Sequence, residues 1–170
     1  MERGSVGKLR RGSLVTRTDY FQDPSAPTPN SIKVAVSALI RDGRGRILMI
    51  RRTDNGMYSI PGGGLEAGET VSEAVVREVE EETGIDVRVV DMIGVFSNPE
   101  HVIAYDDGEV RQEFSICFTA EPIGGELRTS SESKDVRWVA PEQLSRLEIH
   151  PSVRLRISRG LGAGRAPYFT

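Results

Sequence analysis

Between Val34 and Ile50 apolar residues come in two short runs, VAVSALI and ILMI, separated by Asp42-Gly-Arg-Gly45. Runs of that length bounded by turn residues predict strands over Lys33 to Arg41 and Arg46 to Arg52, joined as a β-hairpin. Thr53-Asp-Asn-Gly56 predicts a second turn, leading to a short segment from Met57 to Pro61 and a glycine-rich loop from Pro61 to Gly68. The spacing then turns helical. Thr70 and Glu73 form a T-x-x-E capping box and Gly84 stands where a glycine ends a helix, so the helix covers Val71 to Thr83. Asp86 to Phe96, rich in β-branched residues, predicts a strand, and Asn98 to Gly108 a loop. Glu113 to Ala120 alternates: Phe114, Ile116, Phe118 and Ala120 face one way, Glu113, Ser115, Cys117 and Thr119 the other, as in a half-buried strand. Gly124-Gly125 turns the chain and Val136 to Val139 is another strand. Pro141 and Pro151 suit first helical positions, which predicts helices over Pro141 to Leu147 and Pro151 to Leu161. Strands and helices without regular alternation predict an α/β (α+β) fold, a mixed β-sheet with helices on its faces.

Length and composition narrow the picture. At 170 residues the chain is one domain by size, with 38% hydrophobic and 28% charged residues. Residues 1–30 hold few apolar side chains and a proline-containing stretch, which predicts an extended arm with a mobile start, docked through Tyr20 and Phe21. The domain proper then covers 31–161 and a tail 162–170. No apolar run is long enough for a membrane helix, and no basic stripe favours nucleic acid. Cys117 is the single cysteine, which excludes an intrachain disulfide, gives no support to a cysteine zinc site and sets a reducing, cytoplasmic location as the expectation.

Charge is concentrated in one place. Residues 66–82 carry seven acids against a single base, Arg77. At 100° per residue, Glu78, Glu81 and Glu82 share a sector of about 120° with Val71, Ala74, Val75 and Ile85, whereas Glu73 and Glu80 lie opposite. Three carboxylates thus stand where an amphipathic helix places apolar groups. They repel one another, the more so when desolvated, and a divalent cation reverses that sign. Hard oxygen ligands suit Mg2+, with Mn2+ as a substitute.

The stretch Gly63 to Ile85 fits G-x5-E-x7-R-E-U-x-E-E-x-G-U at every fixed position: Gly63, Glu69, Arg77, Glu78, Val79, Glu81, Glu82, Gly84 and Ile85. On these residues the chain resembles the Nudix hydrolases, from about Ser31 to Pro151. The resemblance implies an α/β/α sandwich and metal-dependent hydrolysis of a diphosphate linkage in a nucleoside diphosphate derivative. It implies metal ligation by the Gly62 carbonyl and by Glu78, Glu81 and Glu82, with Arg77 orienting the carboxylates and Glu69 fixing the loop against the helix. Which glutamate takes the proton stays open, Glu81 being one option. Glu132-Ser-Lys-Asp-Val-Arg-Trp138 is similar to a downstream family segment, which makes Glu132 the candidate for a further carboxylate and Glu113 the runner-up. Trp138 is read as core before stacking platform. Arg51, Arg52, Tyr58 and His101 are candidate substrate contacts, with one of the two adjacent arginines pointing away. His150 is read as a helix-start residue.

Pro99, fifteen residues after Gly84, matches a proline of the ADP-ribose pyrophosphatase subgroup and favours ADP-ribose or a related nucleotide sugar. The alternatives are a nucleoside triphosphate pyrophosphohydrolase of the 8-oxo-dGTP-cleaning type and a noncatalytic nucleotide-sugar sensor. The expected partner is a small nucleotide, with neither membrane nor nucleic acid. Many relatives are homodimers, and residues 14–30 are then the segment that subunits exchange.

Overall fold

In a computed structural model that describes residues 17–162 and 166–170, the chain runs β1 (Arg17–Phe21), β2 (Ser31–Ile32), β3 (Ala35–Ile40), β4 (Ile47–Arg52), β5 (Tyr58–Ser59), β6 (Gly62–Gly64) and helix α1 (Val71–Thr83). It continues with β7 (Ile85–Tyr105), β8 (Val110–Gly125), β9 (Ser133–Val139), a 3-10 helix (Pro141–Arg146), α2 (Pro151–Leu161) and β10 (Tyr168–Phe169). One sheet has the order β1-β7-β8-β3-β6, with β10 added to β7 and β2 to β8. A smaller one has the order β5-β4-β9. The main sheet is mixed, since β3 runs parallel to β8 while β7 is antiparallel to it.

The sandwich follows from strands whose two faces are both apolar. On β3, Val36, Ala38 and Ile40 pack with Ala74, Val75 and Val79 of α1, while Leu39 packs on the opposite side with Val153 and Ile157 of α2. β4 divides likewise, Leu48 toward α1 and Ile47 and Met49 toward α2. This two-sidedness is why the expected hairpin does not form. β3 and β4 join different sheets and touch as a ladder only at the isolated bridge Arg41–Ile47. Strands buried on both faces read as continuous apolar runs and give no clue to their neighbours. β8 corrects the half-buried reading for the same reason: Cys117 is fully buried toward α2 and Phe118 and Ala120 are buried toward α1.

Four other expectations change. The predicted loop 98–108 is mostly strand, because β7 runs on to Tyr105 with a register shift between Asn98 and Val102 that accommodates Pro99. Gly124 and Gly125 end β8 rather than lying beyond it. The glycine run is itself a strand, β6, paired with β3. The predicted helix after Pro141 is a 3-10 helix. The residues after α2 return to the sheet, with Tyr168 and Phe169 beside Gly94 and Val95. The arm docks as β1 against residues 101–105 of the same chain. Its start, residues 1–16, lies outside the described residues, and among the described residues no helix is long and apolar enough to cross a membrane.

α1 forms where its signals place it. The Thr70 hydroxyl accepts from the Glu73 amide at 3.3 Å, the Thr70 amide donates to Glu73 Oε2 at 2.8 Å, and Gly84 closes the helix at φ 74°. A Cβ at Gly84 would stand 2.3 Å from the Glu126 carbonyl, so close approach as well as handedness requires glycine there.

Candidate active site

The site lies where β6 meets the C-terminal half of α1. Gly62 and Gly63 lack side chains for different reasons. A Cβ on Gly62 would come within 2.2 Å of the Val36 carbonyl, and one on Gly63 within 2.5 Å of the Glu78 carboxyl carbon. The first absence admits the neighbouring strand, the second admits a carboxylate. Glu82, only 3% exposed, accepts a hydrogen bond from the Gly62 amide at 2.9 Å. The helix end that carries it is fixed by the buried Ser133, whose hydroxyl donates to the Glu82 carbonyl at 2.6 Å.

Arg77 holds the rest together. Its Nε donates to Glu69 at 2.5 Å, one terminal nitrogen to Glu78 at 2.9 Å and Glu81 at 3.2 Å, and the other to the Gly64 carbonyl at 3.0 Å. Glu69 consequently sits below the usual carboxylate range, and Arg77 above the usual range for arginine. The three acids differ in depth: Glu82 is buried, Glu78 half-buried and Glu81 exposed at the rim.

Burial pushes the Glu82 carboxyl up to about 8 against the opposing pull of the Gly62 amide and Arg52, with the fields of Glu78 and Glu132 adding to the rise. Burial also raises Glu78, and its hydrogen bond from Arg77 only partly offsets this. Arg52 is raised. Burial works against its charge, but the hydrogen bonds to Asp54 and the fields of Asp54, Glu82 and Glu132 outweigh it. Glu78, Glu82 and Glu132 thus feel one another's charge, opposed by Arg77 at Glu78 and by Arg52 at Glu82. That donor set fits a divalent cation: hard oxygens, partly dry, destabilised as they stand.

Beside β6 opens a cavity of about 250 Å3 lined by Gly62, Gly63, Gly64, Arg52, Tyr58 and Glu132 among others. Glu132 is exposed on the loop before β9, which is tied to the turn after β4 by the Thr53 amide donating to the Glu132 carbonyl at 3.0 Å. Of the four residues expected to contact substrate, Arg52 and Tyr58 line the cavity and Arg51 and His101 do not. Arg51 alternates to the exposed side of β4 and donates to the Gly56 carbonyl at 2.9 Å. The Tyr58 hydroxyl donates to Asp135 at 3.0 Å and accepts from Arg137, whose guanidinium lies over the ring. Glu113, the runner-up carboxylate, is taken up by an ion pair with Arg156 of α2. Trp138 is partly buried and packs against the core on the α1 side.

His101 is 3% exposed, with Nε2 2.7 Å from Asp19 Oδ1. His150 caps α2, its Nδ1 accepting from the Ser152 amide at 3.2 Å, so its own proton is on Nε2 and faces Asp19 at 3.6 Å. Burial lowers His150. Burial would raise Asp19, but the hydrogen bonds and charges of His101, Arg17 and His150 together hold it at about 2. The ligating atoms of Asp19, His101 and His150 lie within 4.8 Å of one another. Yet the two rings stack 4.7 Å apart at only 19° between planes, so their in-plane lone pairs run side by side instead of converging on one ion. The cluster is a hydrogen-bonded clasp. Arg17 extends it, contacting Asp19 at 2.7 Å and Asp54 at 3.4 Å. Sequence reading missed Arg17, Asp19 and Ser133, since a charged strand in an arm and a serine beside an acid carry no pattern of their own.

Comparison with known proteins agrees with this geometry. The NUDIX domain family model matches residues 31–159. A MutT-like protein of Streptomyces ambofaciens is 41% identical over 124 residues, 73% of either chain. An ADP-ribose pyrophosphatase of Methanocaldococcus jannaschii is 38% identical over 122 residues, 67% of this chain and 65% of that protein. The crystal structure of a MutT protein from Methanosarcina mazei is 28% identical with a TM-score of 0.60, covering 80% of this chain and 94% of that one. With the helix, the glycine strand and the carboxylates in these positions, the chain belongs to the NUDIX domain family and is one of its hydrolases.

Proposed function

We propose that this hydrolase cleaves the diphosphate linkage of a nucleoside diphosphate derivative, ADP-ribose or a related nucleotide sugar, with Mg2+ as its ion and Mn2+ as a substitute. The observation that carries the reading is Glu82, a carboxylate buried beside the Gly62 amide and without an ion-pair partner among the described residues. Glu78, Glu81, Glu82 and the Gly62 carbonyl are the proposed ligands. The bound ion supplies charge neutralisation on the diphosphate and activation of water. Arg77 keeps Glu78 aimed past Gly63 and restrains Glu81 at the rim. Arg52, facing the cavity with its charge secured by Asp54, is the proposed phosphate contact. Glu132 or Glu81 holds the proton taken from water, both being exposed carboxylates beside the buried pair.

The choice of nucleotide sugar rests on the archaeal ADP-ribose pyrophosphatase relative and on Pro99. Product identification after incubation with ADP-ribose and with nucleoside triphosphates, each with Mg2+ or chelator, tests it. AMP and ribose 5-phosphate from ADP-ribose support the reading. Nucleoside monophosphate and pyrophosphate from a triphosphate alone replace it with the 8-oxo-dGTP-cleaning class, and binding of ADP-ribose without turnover replaces it with a sensor.

A further inference from the structure

Among the described residues six buried side-chain polar atoms lack a nitrogen or oxygen hydrogen-bond partner, and five belong to residues lining the cavity beside β6: Arg17, Ser37, Arg111, Ser115 and Arg156, of which the Ser37 hydroxyl meets only the weakly bonding thiol of Cys117. Three of them form its inner end. Ser37 on β3 is 4% exposed, Ser115 on β8 is 1% and Arg156 on α2 is 8%. Glu113, two residues before Ser115 and on the same face of β8, pairs with one terminal nitrogen of Arg156 and leaves the guanidinium Nε–H unused. Arg156 is further fixed by the ring of Phe96, 5.8 Å from its Cζ. Buried donors and acceptors are satisfied by protein, ordered water, an ion or a ligand, so unpaired atoms gathered round one cavity with an ion pair beside them mark a polar end that a ligand can occupy.

The position of that end fixes what enters it. Ser37 is the register partner of Gly62, so it stands about 5 Å across the ladder from the residue whose amide holds Glu82. The cavity, about 250 Å3, is also lined by Ile60 and Val153, apolar surfaces that suit a flat ring. An arginine that can only donate stands next to a carboxylate that can only accept, with two hydroxyls that do either. A ligand edge with an acceptor atom beside an N–H donor answers that pair.

We infer that Glu113, Arg156, Ser37 and Ser115 form a base-reading subsite, which takes the edge of a nucleobase whose acceptor atom faces Arg156 and whose N–H faces Glu113. This rests on the proposed nucleotide substrate and adds its specificity residues. None of the four takes part in the diphosphate chemistry.

Equilibrium binding in the presence of chelator tests it without turnover. The probes are AMP, GMP, CMP and UMP, together with the counterpart of each in which every hydrogen of the edge N–H or NH2 is replaced by methyl. The wild type should bind at least one monophosphate about tenfold or more tighter than its methylated counterpart, because a site built to pair an N–H rejects the analogue lacking it. Glu113→Gln should shrink that ratio to about threefold or less, and Ser115→Ala and Ser37→Ala should each lower it. Thermal melts report folding, and if Glu113→Gln is unfolded the serine variants decide. Wild-type ratios within about threefold for all four pairs, or undiminished ratios in every folded variant, would overturn the inference. Discrimination without any Mg2+-dependent hydrolysis would sink only the enzymatic reading, and hydrolysis without discrimination only this one.

Discussion

Each helix of this protein buries one charge against the same sheet, and the two burials are unlike. On α1, Glu82 lies 3% exposed with a single backbone amide for company. On α2, Arg156 lies 8% exposed in an ion pair with Glu113. Among the described residues Glu82 has no ion-pair partner, while Arg156 and Glu113 neutralise each other and keep only a spare donor. A buried charge with a built-in partner is held in place by the fold and can still offer its spare donor to a ligand. One whose partner must come from solution belongs to the chemistry.

That contrast can be broken in steps. The largest effect should come from Glu82→Gln, which removes the uncompensated charge: turnover should fall roughly 1,000-fold, a loss of the size reported for proton-transfer and charge-stabilising groups, with the fold intact. Steady-state kinetics beside a chelated thermal melt would check both halves. Arg156→Met on the other helix should instead act on stability. Removing one partner of a buried pair costs about 3–5 kcal/mol, and adding Glu113→Gln should recover part of that in urea unfolding. Gly63→Ala should come third. Its Cβ would meet the Glu78 carboxyl at 2.5 Å, and moving that carboxylate by about 1 Å to relieve the contact costs about 100-fold in rate with little change in melting.

The pH response sharpens the contrast further. Glu82 has a folded pKa of about 8, raised from an ordinary 4.5. Below 4.5 it is protonated both folded and unfolded and contributes nothing. Between 4.5 and about 8 the unfolded chain ionises first, so stability of the metal-free protein falls as pH rises, and above about 8 the loss is complete. Asp19 has the opposite sign. Its pKa is lowered to about 2, so the stability it lends is full above its ordinary 3.8 and disappears as pH falls through 2. Melting temperatures in chelator from pH 5 to 8 should therefore decline more steeply for wild type than for Glu82→Gln, and saturating Mg2+ should flatten the wild-type curve.

The smallest expected effect lies at the helix starts. Thr70→Ala removes half of the capping box and should cost about 1 kcal/mol in urea unfolding. Turnover should stay near wild type, because the acids sit at the other end of α1.

The parts legible from sequence were those that depend on neighbours along the chain. α1 from Val71 to Thr83, its caps and the shared sector of Glu78 and Glu82 follow from spacing, and the structure keeps them. α2 over Pro151–Leu161 is another such case. Glu81 shows the limit: it occupies the same sector by angle but lies at the rim, since burial depends on what stands opposite each turn. Strand partners were not legible. The runs that became β3 and β4 look like a hairpin locally, yet each is apolar on both faces and pairs elsewhere. His101, a candidate substrate contact by sequence, lies in β7 with its Nε2 against Asp19 instead.

The sequence by itself determined helix α1, its caps and the sector shared by its carboxylates, because a helix writes its geometry into local spacing. Only the tertiary structure decided what surrounds it: that the glycine run is a strand against β3, that the arm clasps β7 and α2 through Asp19, and that Arg156 meets Glu113 forty-three residues away. These contacts join segments distant along the chain, and their energies depend on burial and charge pairing that no local pattern encodes.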